Sequence, residues 1–274
     1  MGIACALGAG MLWGLVFVVP LLLPEYPPAM LSFGRYFGFG LIALLLAWSD
    51  RARLSRLQRQ DWRMAFELAL VGNILYYLFL ASAIQLAGAP LPTMLIGTLP
   101  IIIAIVANFG SAALPWRRLL PSLTAIAIGI ALVNRHEMTV LGGQRSADDY
   151  LRGALLAMAA VAAWTWYPVR NSSWLRQRPQ IGSGTWALAQ GLTTLPLAAV
   201  GMAAAGVWPD DRFDYPLGPQ PMRYVGLMLT LGFCASWLGT LLWNRASQLL
   251  PTALSGQLIV FETVAAFAYA FIWR

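Results

Sequence analysis

Residues Leu258–Trp273 read LIVFETVAAFAYAFIW, a run that is apolar except for Glu262 and Thr263. Such a run is typical of a helix that crosses a lipid bilayer, because a span needs roughly 17–25 mostly apolar residues. A rise of about 1.5 Å per residue places Glu262 near the bilayer midplane. A charge there costs at least about 2.5–3.5 kcal/mol, so this carboxyl group must be protonated, paired or wetted by a cavity.

The whole chain has the composition of a polytopic membrane protein. Of its 274 residues, 59% are hydrophobic and 11% are charged, whereas soluble domains carry about 25% charged residues. The net charge of +7 is spread over short connections, so we expect no nucleic-acid partner. Cys5 and Cys234 form no metal-ligand spacing. The sequence predicts no metal site and no cofactor.

Nine segments are long and apolar enough to span a bilayer, and we number them spans 1 to 9. They cover residues 2–23, 29–48, 64–86, 91–113, 118–135, 151–170, 181–206, 222–247 and 252–273. These segments are twice as long as membrane strands and show no period-two alternation, which excludes a closed barrel. The predicted fold class is an all-α polytopic membrane protein.

The arginines predict the orientation. The loop Ser49–Arg63 carries five arginines against two aspartates, the strongest cytoplasmic signal in the chain. Counting spans from this loop puts Glu25, Asp148 and Asp210 on the opposite side. We therefore expect a multi-pass protein of the cell inner (plasma) membrane with its amino terminus in the cytoplasm.

The sequence also contains an internal repeat. PTMLIG (Pro92–Gly97) recurs as PTALSG (Pro251–Gly256). Two further matches keep the same order: AIQL with ASQL, which aligns Gln85 with Gln248, and Trp13 of span 1 with Trp164 of span 6. They equate spans 1, 3 and 4 with spans 6, 8 and 9. A five-span unit has an odd number of crossings, so its second copy is inverted, an architecture of transporters. Residues 1–135 are the predicted first repeat, 136–150 an outer linker, and 151–274 a second repeat without its last helix.

Four stretches of the chain resemble the EamA-type exporters of the drug/metabolite transporter superfamily, and within that superfamily the aromatic amino-acid exporters. They are GMLWG (Gly10–Gly14), AAWTWYPVRN (Ala162–Asn171), LWNRASQLLPTALSGQL (Leu242–Leu258) and FETVAAFAYAFIW (Phe261–Trp273). Glu262 falls on the glutamate of the family pattern, and Thr263 replaces the usual proline. The resemblance implies two inverted five-helix repeats with both termini in the cytoplasm. It also implies a tenth span after Arg274, which we state as an expectation.

Aromatic residues in the bodies of the presumed core spans predict a central substrate site. A cavity walled by such rings would suit an aromatic or large apolar side chain; packing against lipid or neighbouring helices is the alternative. The candidate substrate-binding aromatic residues are Trp13, Phe17, Tyr76, Tyr77, Trp164, Tyr167 and Trp237.

The polar end of an amino acid would need partners within the same spans. Asn73 and Ser236 are equivalent repeat positions, as are Thr98 and Gln257. With Glu262, which could bind an amine or couple protons, they complete the candidate site; interhelical hydrogen bonding is the alternative. Arg35 lies two turns into span 2, and we expect it to snorkel to the outer interface.

These features predict a monomeric membrane transporter that exports small metabolites, amino acids including aromatic ones above all, by alternating access. A drug or nucleotide-sugar carrier of the same fold is the alternative. A membrane-embedded enzyme would need paired acids or a histidine cluster. The chain has one histidine, so we expect no enzyme activity. An inverted repeat over nine spans also argues against a seven-helix receptor or a helical scaffold.

Overall fold

The computed structural model describes residues 1–23, 25–87, 90–109, 115–141, 146–207 and 213–273. Within these ranges the side chains of some helical residues, including Phe17, Gln85 and Arg118, lie outside the description. Every regular element in the described ranges is helical. The predicted all-α fold class is confirmed.

Each predicted span corresponds to one helix or to a few short helical pieces. In the first half these are α1 (Gly2–Gly14), a 3₁₀ turn (Leu15–Phe17) and α2 (Val19–Leu22) for span 1; α3 (Pro28–Leu54) for span 2; α4 (Arg59–Leu68), the π-helical segment π1 (Ala69–Leu75) and α5 (Tyr76–Ala87) for span 3; α6 (Pro90–Gly97) and α7 (Leu99–Asn108) for span 4; and α8 (Trp116–Leu141) for span 5. In the second half they are α9 (Ala147–Gln177) for span 6; α10 (Ser183–Val207) for span 7; α11 (Pro221–Leu231), π2 (Gly232–Leu238) and α12 (Gly239–Leu249) for span 8; and α13 (Thr252–Leu258) and α14 (Val260–Trp273) for span 9.

Among the residues that the structure describes, four helical runs are long and apolar enough to cross a membrane by length and composition. They are Pro28–Leu54, Arg59–Ile84, Ser183–Gly206 and Pro221–Leu249. Gly2–Gly14, Leu99–Asn108, Leu119–Ile128 and Thr252–Ala265 are shorter apolar helices. Spans 1, 4 and 9 contribute short helices because each is interrupted within its apolar run.

The interruptions and the π-helical segments fall at related places in the two halves. Ala69 and Gly232, the first residues of π1 and π2, are separated by the same number of positions as Gln85 and Gln248. Span 4 breaks at Thr98 and span 9 at Ile259. The short helix before the first break contains PTMLIG, and the one before the second begins at the second residue of PTALSG. A π-helical turn holds an extra residue and occurs often at functional sites.

Prolines account for only part of this pattern. Pro100 lies in the first turn of α7, where a missing N–H is tolerated. Pro168 and Pro196, in contrast, lie inside the continuous helices α9 and α10. The helix of span 5 continues to Leu141 and that of span 6 begins at Ala147. Helix therefore extends into both ends of the predicted linker.

The main contacts between helices join the two halves. Span 1 packs against span 8, span 3 against span 6, span 2 against span 7, and span 4 against span 9. Exchanging the halves converts the first pair into the second, the relation that a two-fold axis would produce. Close approach needs small residues: a Cβ on Gly232 would lie 2.7 Å from the Gly38 carbonyl carbon. The interface between halves therefore brings side chains of spans 1, 2, 3, 6 and 8 together.

Candidate substrate site

A stack of aromatic rings lies where four spans meet, with Trp164 of span 6 at its centre. The ring of Tyr76 from span 3 stacks on Trp164 at a centroid distance of 5.0 Å. Tyr167 stacks on Trp164 at a centroid distance of 4.9 Å, and Trp13 of span 1 meets Trp164 edge-on at 5.5 Å. The structure thus brings together four of the predicted aromatic residues, and both halves contribute.

Two glycines allow the rings to approach their neighbouring helices. A Cβ on Gly72, within π1, would collide with the ring of Tyr167. A Cβ on Gly239 would lie 2.8 Å from Nε1 of Trp13. Larger residues at these positions would displace the rings, so the two glycines help to shape the stack.

Trp243 is a member of the stack that the sequence analysis missed. Its ring lies 5.3 Å from Trp13, and only 1% of the residue is exposed. The available signal was its position four residues after Gly239, because residues at that spacing share a helix face.

Tyr77 and Trp237 pack against a second cluster that contains Phe33, Tyr36 and Phe39. Both also border the stack, because Tyr77 packs against the cluster of Tyr76 and Trp237 against the cluster of Trp13 and Tyr167. Trp237 also lines a cavity of about 490 Å³, and its buried indole N–H has no partner among the described residues. The side chain of Phe17 is outside the described part of the chain.

The predicted polar residues divide into two kinds. Asn73 of π1 donates a hydrogen bond from Nδ2 to Thr194 Oγ1 of span 7, at 3.2 Å. Ser236 of π2 accepts one from Arg35 Nε of span 2, at 2.9 Å. Each π segment therefore presents a polar side chain to a helix of the other half.

The equivalent pair in spans 4 and 9 behaves differently. The hydroxyl of Thr98 donates to the Leu95 carbonyl at 2.6 Å, so its own helix satisfies it. Gln257 is 8% exposed, and its Nε2 has no partner in the part of the chain that the structure describes.

The prediction that Arg35 snorkels to the interface is wrong. Its guanidinium lies inside the bundle, bonded to Ser236 and 5.0 Å from the centroid of the Tyr36 ring. The cause is the packing of span 2 on span 8, where Gly38 and Gly232 touch. Arg35 lies one turn from Gly38, on the helix face that this contact turns inward.

Glu262 lies in the first turn of α14, directly after the break in span 9. It is half-buried, and its backbone nitrogen would be 3.1 Å from a Cβ on Gly10 of span 1. Among the described residues, the carboxyl group of Glu262 and the guanidinium of Arg35 form no ion pair within 4.0 Å.

Comparison with known proteins identifies the family. Residues 1–135 match the EamA-like transporter family. The chain is 46% identical over 280 residues to inner membrane protein YtfF of Escherichia coli (strain K12), covering 100% of this chain and 87% of that protein. The chain belongs to the EamA-like transporter family.

The fold is also that of a protein of known crystal structure. This transporter superposes on it with a TM-score of 0.68 at 17% identity, over 98% of this chain and 88% of the other. The family resemblance drawn from the sequence is confirmed. The chain is a multi-pass inner membrane transporter of the drug/metabolite superfamily, which points to transport and away from enzyme activity.

A buried polar network connects the aromatic stack of the transporter to spans 7 and 8. Tyr167 donates its phenolic hydrogen to Gln190 Oε1 at 2.8 Å. Asn171 accepts hydrogen bonds from Trp186 Nε1 at 2.8 Å and Gln190 Nε2 at 3.3 Å, and donates to Asn244 Oδ1 at 2.9 Å. Because these groups are buried and satisfy one another's hydrogen bonds, they hold Tyr167, the stack residue that they contact, in one arrangement.

Proposed function

We propose that this transporter exports amino acids, aromatic ones among them, by alternating access through a site at the aromatic stack. The observation that carries the proposal is the stack itself, because Trp13 and Tyr76 come from one half and Trp164 and Tyr167 from the other. An aromatic pair is worth about 0.5–1.5 kcal/mol beyond the area that it buries. A substrate ring that replaced one of these rings would recover that energy.

Alternating access is supported by how closely the rings pack. Trp13 is 5% and Tyr167 is 2% exposed, so a substrate ring needs the rings to move apart. Spans 1, 4 and 9 are interrupted and spans 3 and 8 contain π segments. Such irregular points are where helices absorb changes in backbone angle during domain motion. We take the monomer, with two inverted repeats and its amino terminus in the cytoplasm, as the working unit.

A drug or nucleotide-sugar carrier is the competing function within the fold. A phosphate-bearing substrate favours clustered cations. Arg35 is a single guanidinium, bonded to Ser236 and lying over the Tyr36 ring. One guanidinium can bind one carboxylate through two parallel hydrogen bonds, which suits an amino acid.

The test replaces Trp164 with alanine and measures uptake of labelled phenylalanine and labelled alanine into proteoliposomes. Removing the central ring should lower phenylalanine transport about tenfold, as expected for a loss of about 1.4 kcal/mol. Alanine transport should change less than about twofold, because its side chain cannot reach the stack. Trp48→Ala is the matched control, since Trp48 is 76% exposed. Equal losses for both amino acids, with normal membrane insertion, would show that Trp164 only packs the bundle.

A further inference from the structure

A cavity of about 370 Å³ lies at the end of the bundle where the turn between spans 6 and 7 meets the segment between spans 2 and 3. The charged residues that line it are Arg53, Arg56 and Asp61 from the first half and Arg178 from the second. Its volume falls within the range of about 300–1,000 Å³ that is typical of small-molecule sites. The described residues that line it include none of the aromatic stack. The cavity is therefore separate from the candidate substrate site, and its three guanidinium groups favour an anionic group.

Two of these arginines keep hydrogen-bond donors free. Within the described part of the chain, the Arg56 side chain forms no hydrogen bond and no ion pair. The Arg53 guanidinium donates through Nη1 to Asp50 Oδ1 at 3.1 Å, its one side-chain bond to the described residues. Asp50 is itself held across the halves, because Thr185 Oγ1 donates to its other oxygen at 2.6 Å. A guanidinium can bind a phosphate through two parallel hydrogen bonds, so Arg56 and Arg53 offer a site for a phosphate group.

Asp61 supplies the opposite charge and is held in a fixed position. Its Oδ2 accepts a hydrogen bond from the Gln58 N–H at 2.8 Å, in the capping box that begins α4. The side chain is 3% exposed, and Arg178 Nε lies 3.8 Å from Oδ1, which is beyond hydrogen-bond distance. Oδ1 has no hydrogen-bond partner among the described residues. Because buried carboxylate oxygens are normally hydrogen-bonded, a ligand in this cavity should bring an N–H donor to Oδ1, and an ammonium group does so with a compensating charge.

An exposed tryptophan places the cavity at the level of the lipid headgroups. Trp48 of α3 is 76% exposed, and the guanidinium carbon of Arg51 lies 4.9 Å from the centroid of its ring. Tryptophan is enriched where the membrane meets water. Arg53 follows Trp48 by five residues, which is about 7.5 Å of helix rise. The cavity thus lies close to the depth at which phospholipids carry their phosphate and ammonium groups.

We propose that this cavity binds the headgroup of phosphatidylethanolamine from the surrounding bilayer. The phosphate lies on the free donors of Arg56 and Arg53, and the ammonium group donates to Asp61 Oδ1. All three residues belong to one corner of the chain, between the end of α3 and the first turn of α4. Basic pockets between membrane helices are known to hold lipid headgroups, and the unpaired oxygen of Asp61 adds the contact that selects an ammonium group. The site does not depend on the proposed function, because it lies outside the aromatic stack.

Three phospholipids with the same acyl chains separate these contacts. Phosphatidylethanolamine brings a phosphate and an ammonium group with N–H donors. Phosphatidylcholine keeps both charges, but its trimethylammonium group has no N–H to donate. Phosphatidylglycerol keeps the phosphate and brings hydroxyl groups without a positive charge. The wild type should therefore bind phosphatidylethanolamine about tenfold more tightly than either of the other two, as expected for a hydrogen bond between charged groups.

Native mass spectrometry of the purified protein in detergent, titrated with each dioleoyl lipid, measures the dissociation constants. Arg56→Gln should weaken binding of all three lipids about tenfold and leave the preference among them unchanged. Asp61→Asn keeps an oxygen that can cap α4, and it should reduce the preference for phosphatidylethanolamine to within about twofold. Arg59→Gln is the matched control, because Arg59 is exposed and is not among the residues that line the cavity; this variant should bind all three lipids as the wild type does.

Soluble phosphoethanolamine separates a lipid site from a site for a free metabolite. Without acyl chains it should bind at least about tenfold more weakly than the lipid. If it binds as tightly as the lipid, the cavity serves a soluble ligand and the proposal is overturned. Equal affinity of the wild type for the three lipids, or unchanged binding by Arg56→Gln, would overturn it as well. Because the Arg56 side chain bonds to none of the described residues, its variant gives an answer even if Asp61→Asn fails to fold.

Discussion

The two ends of the bundle are closed by corresponding segments with different chemistry. At one end, the turn between spans 1 and 2 meets the segment between spans 7 and 8 through Tyr26. At the other end, the turn between spans 6 and 7 meets the segment between spans 2 and 3 through Arg178. Exchange of the halves relates these two closures. One is nevertheless formed by buried aromatic rings, whereas the other is formed by charged and polar groups exposed to solvent.

The Tyr26 closure is compact. Tyr26 is 3% exposed; its hydroxyl donates to the Leu217 carbonyl at 2.7 Å and accepts from the Gln220 N–H at 3.0 Å. Its ring stacks on Tyr224 at 4.8 Å and meets Phe213 edge-on at 5.4 Å. Opening this end would expose rings and break satisfied hydrogen bonds at the same time.

The Arg178 closure lies beside solvent. Its guanidinium donates to Gln58 at 3.2 Å and Gln60 at 3.1 Å, and Nε lies 3.8 Å from the buried carboxylate of Asp61. Arg178, Gln58 and Asp61 are among the residues that line a cavity of about 370 Å³. Water can replace each of these bonds, so this end should open at lower cost. The arginine distribution predicts that this end is cytoplasmic, the side from which the substrate would enter under the proposed export.

The largest expected effect comes from Tyr26→Ala, which removes the buried ring and both hydrogen bonds. It should lower the free energy of unfolding by about 3–5 kcal/mol, the cost of truncating a buried aromatic side chain. Tyr26→Phe keeps the ring and should cost about 1 kcal/mol. Thermal unfolding in detergent micelles gives both values. Equal effects of the two variants would show that the ring contacts contribute nothing.

Arg178→Ala should have an intermediate effect. The variant leaves the Asp61 carboxylate without its cation, but the guanidinium is 21% exposed, so we expect a loss of about 1–2 kcal/mol. Arg176→Ala is the matched control, because Arg176 lies two residues before Arg178 at the end of α9. It donates a hydrogen bond to the Thr252 hydroxyl at 2.8 Å and forms no ion pair among the described residues. If Arg178→Ala costs as much as Tyr26→Ala, the two closures do not differ as described.

The smallest effect concerns salt. Raising the salt concentration to about 0.5 M should reduce the stability difference between the wild type and Arg178→Ala by less than about 1 kcal/mol, because exposed charges are screened. The difference between the wild type and Tyr26→Ala should not change. Unfolding curves at low and high salt test both statements together. If the difference in unfolding free energy between the wild type and Tyr26→Ala depended on salt, charged groups would contribute to that closure, contrary to its description.

The aromatic stack was predictable because its residues can be recognised along single helices. Trp13, Trp164 and Tyr167 stand in apolar span bodies, and the family segments include all three. The sequence also predicted equivalence of Asn73 and Ser236, and both lie in π segments bonded to the other half. Helix periodicity and repeat spacing are one-dimensional properties, so such features can be read without a structure.

Arg35 was not predictable for the opposite reason. Whether its side chain leaves the bundle or enters it depends on how span 2 rotates against span 8, which the Gly38–Gly232 contact decides. The position of Trp243 also depends on how the helices pack, because its ring lies 5.3 Å from that of Trp13 in span 1. No local pattern in ALVGNIL or GFCASWL distinguishes a π segment from an α-helix. The sequence therefore could not predict how each segment changes the direction of the side chains around it.

The two π segments also decide where spans 3 and 8 can change length without turning the residues beyond them. Each holds one residue more than an α-helix would at that point, and the extra residue is absorbed within the segment. Deleting a single residue from Ala69–Leu75 would therefore restore regular α-helix and leave Tyr76, which directly follows this segment, close to its present orientation. A deletion from the regular helix Arg59–Leu68 has no such reserve and would rotate everything beyond it by about 100° relative to the preceding part. Insertions and deletions within span 3 thus differ in consequence according to whether they fall inside or outside the π segment.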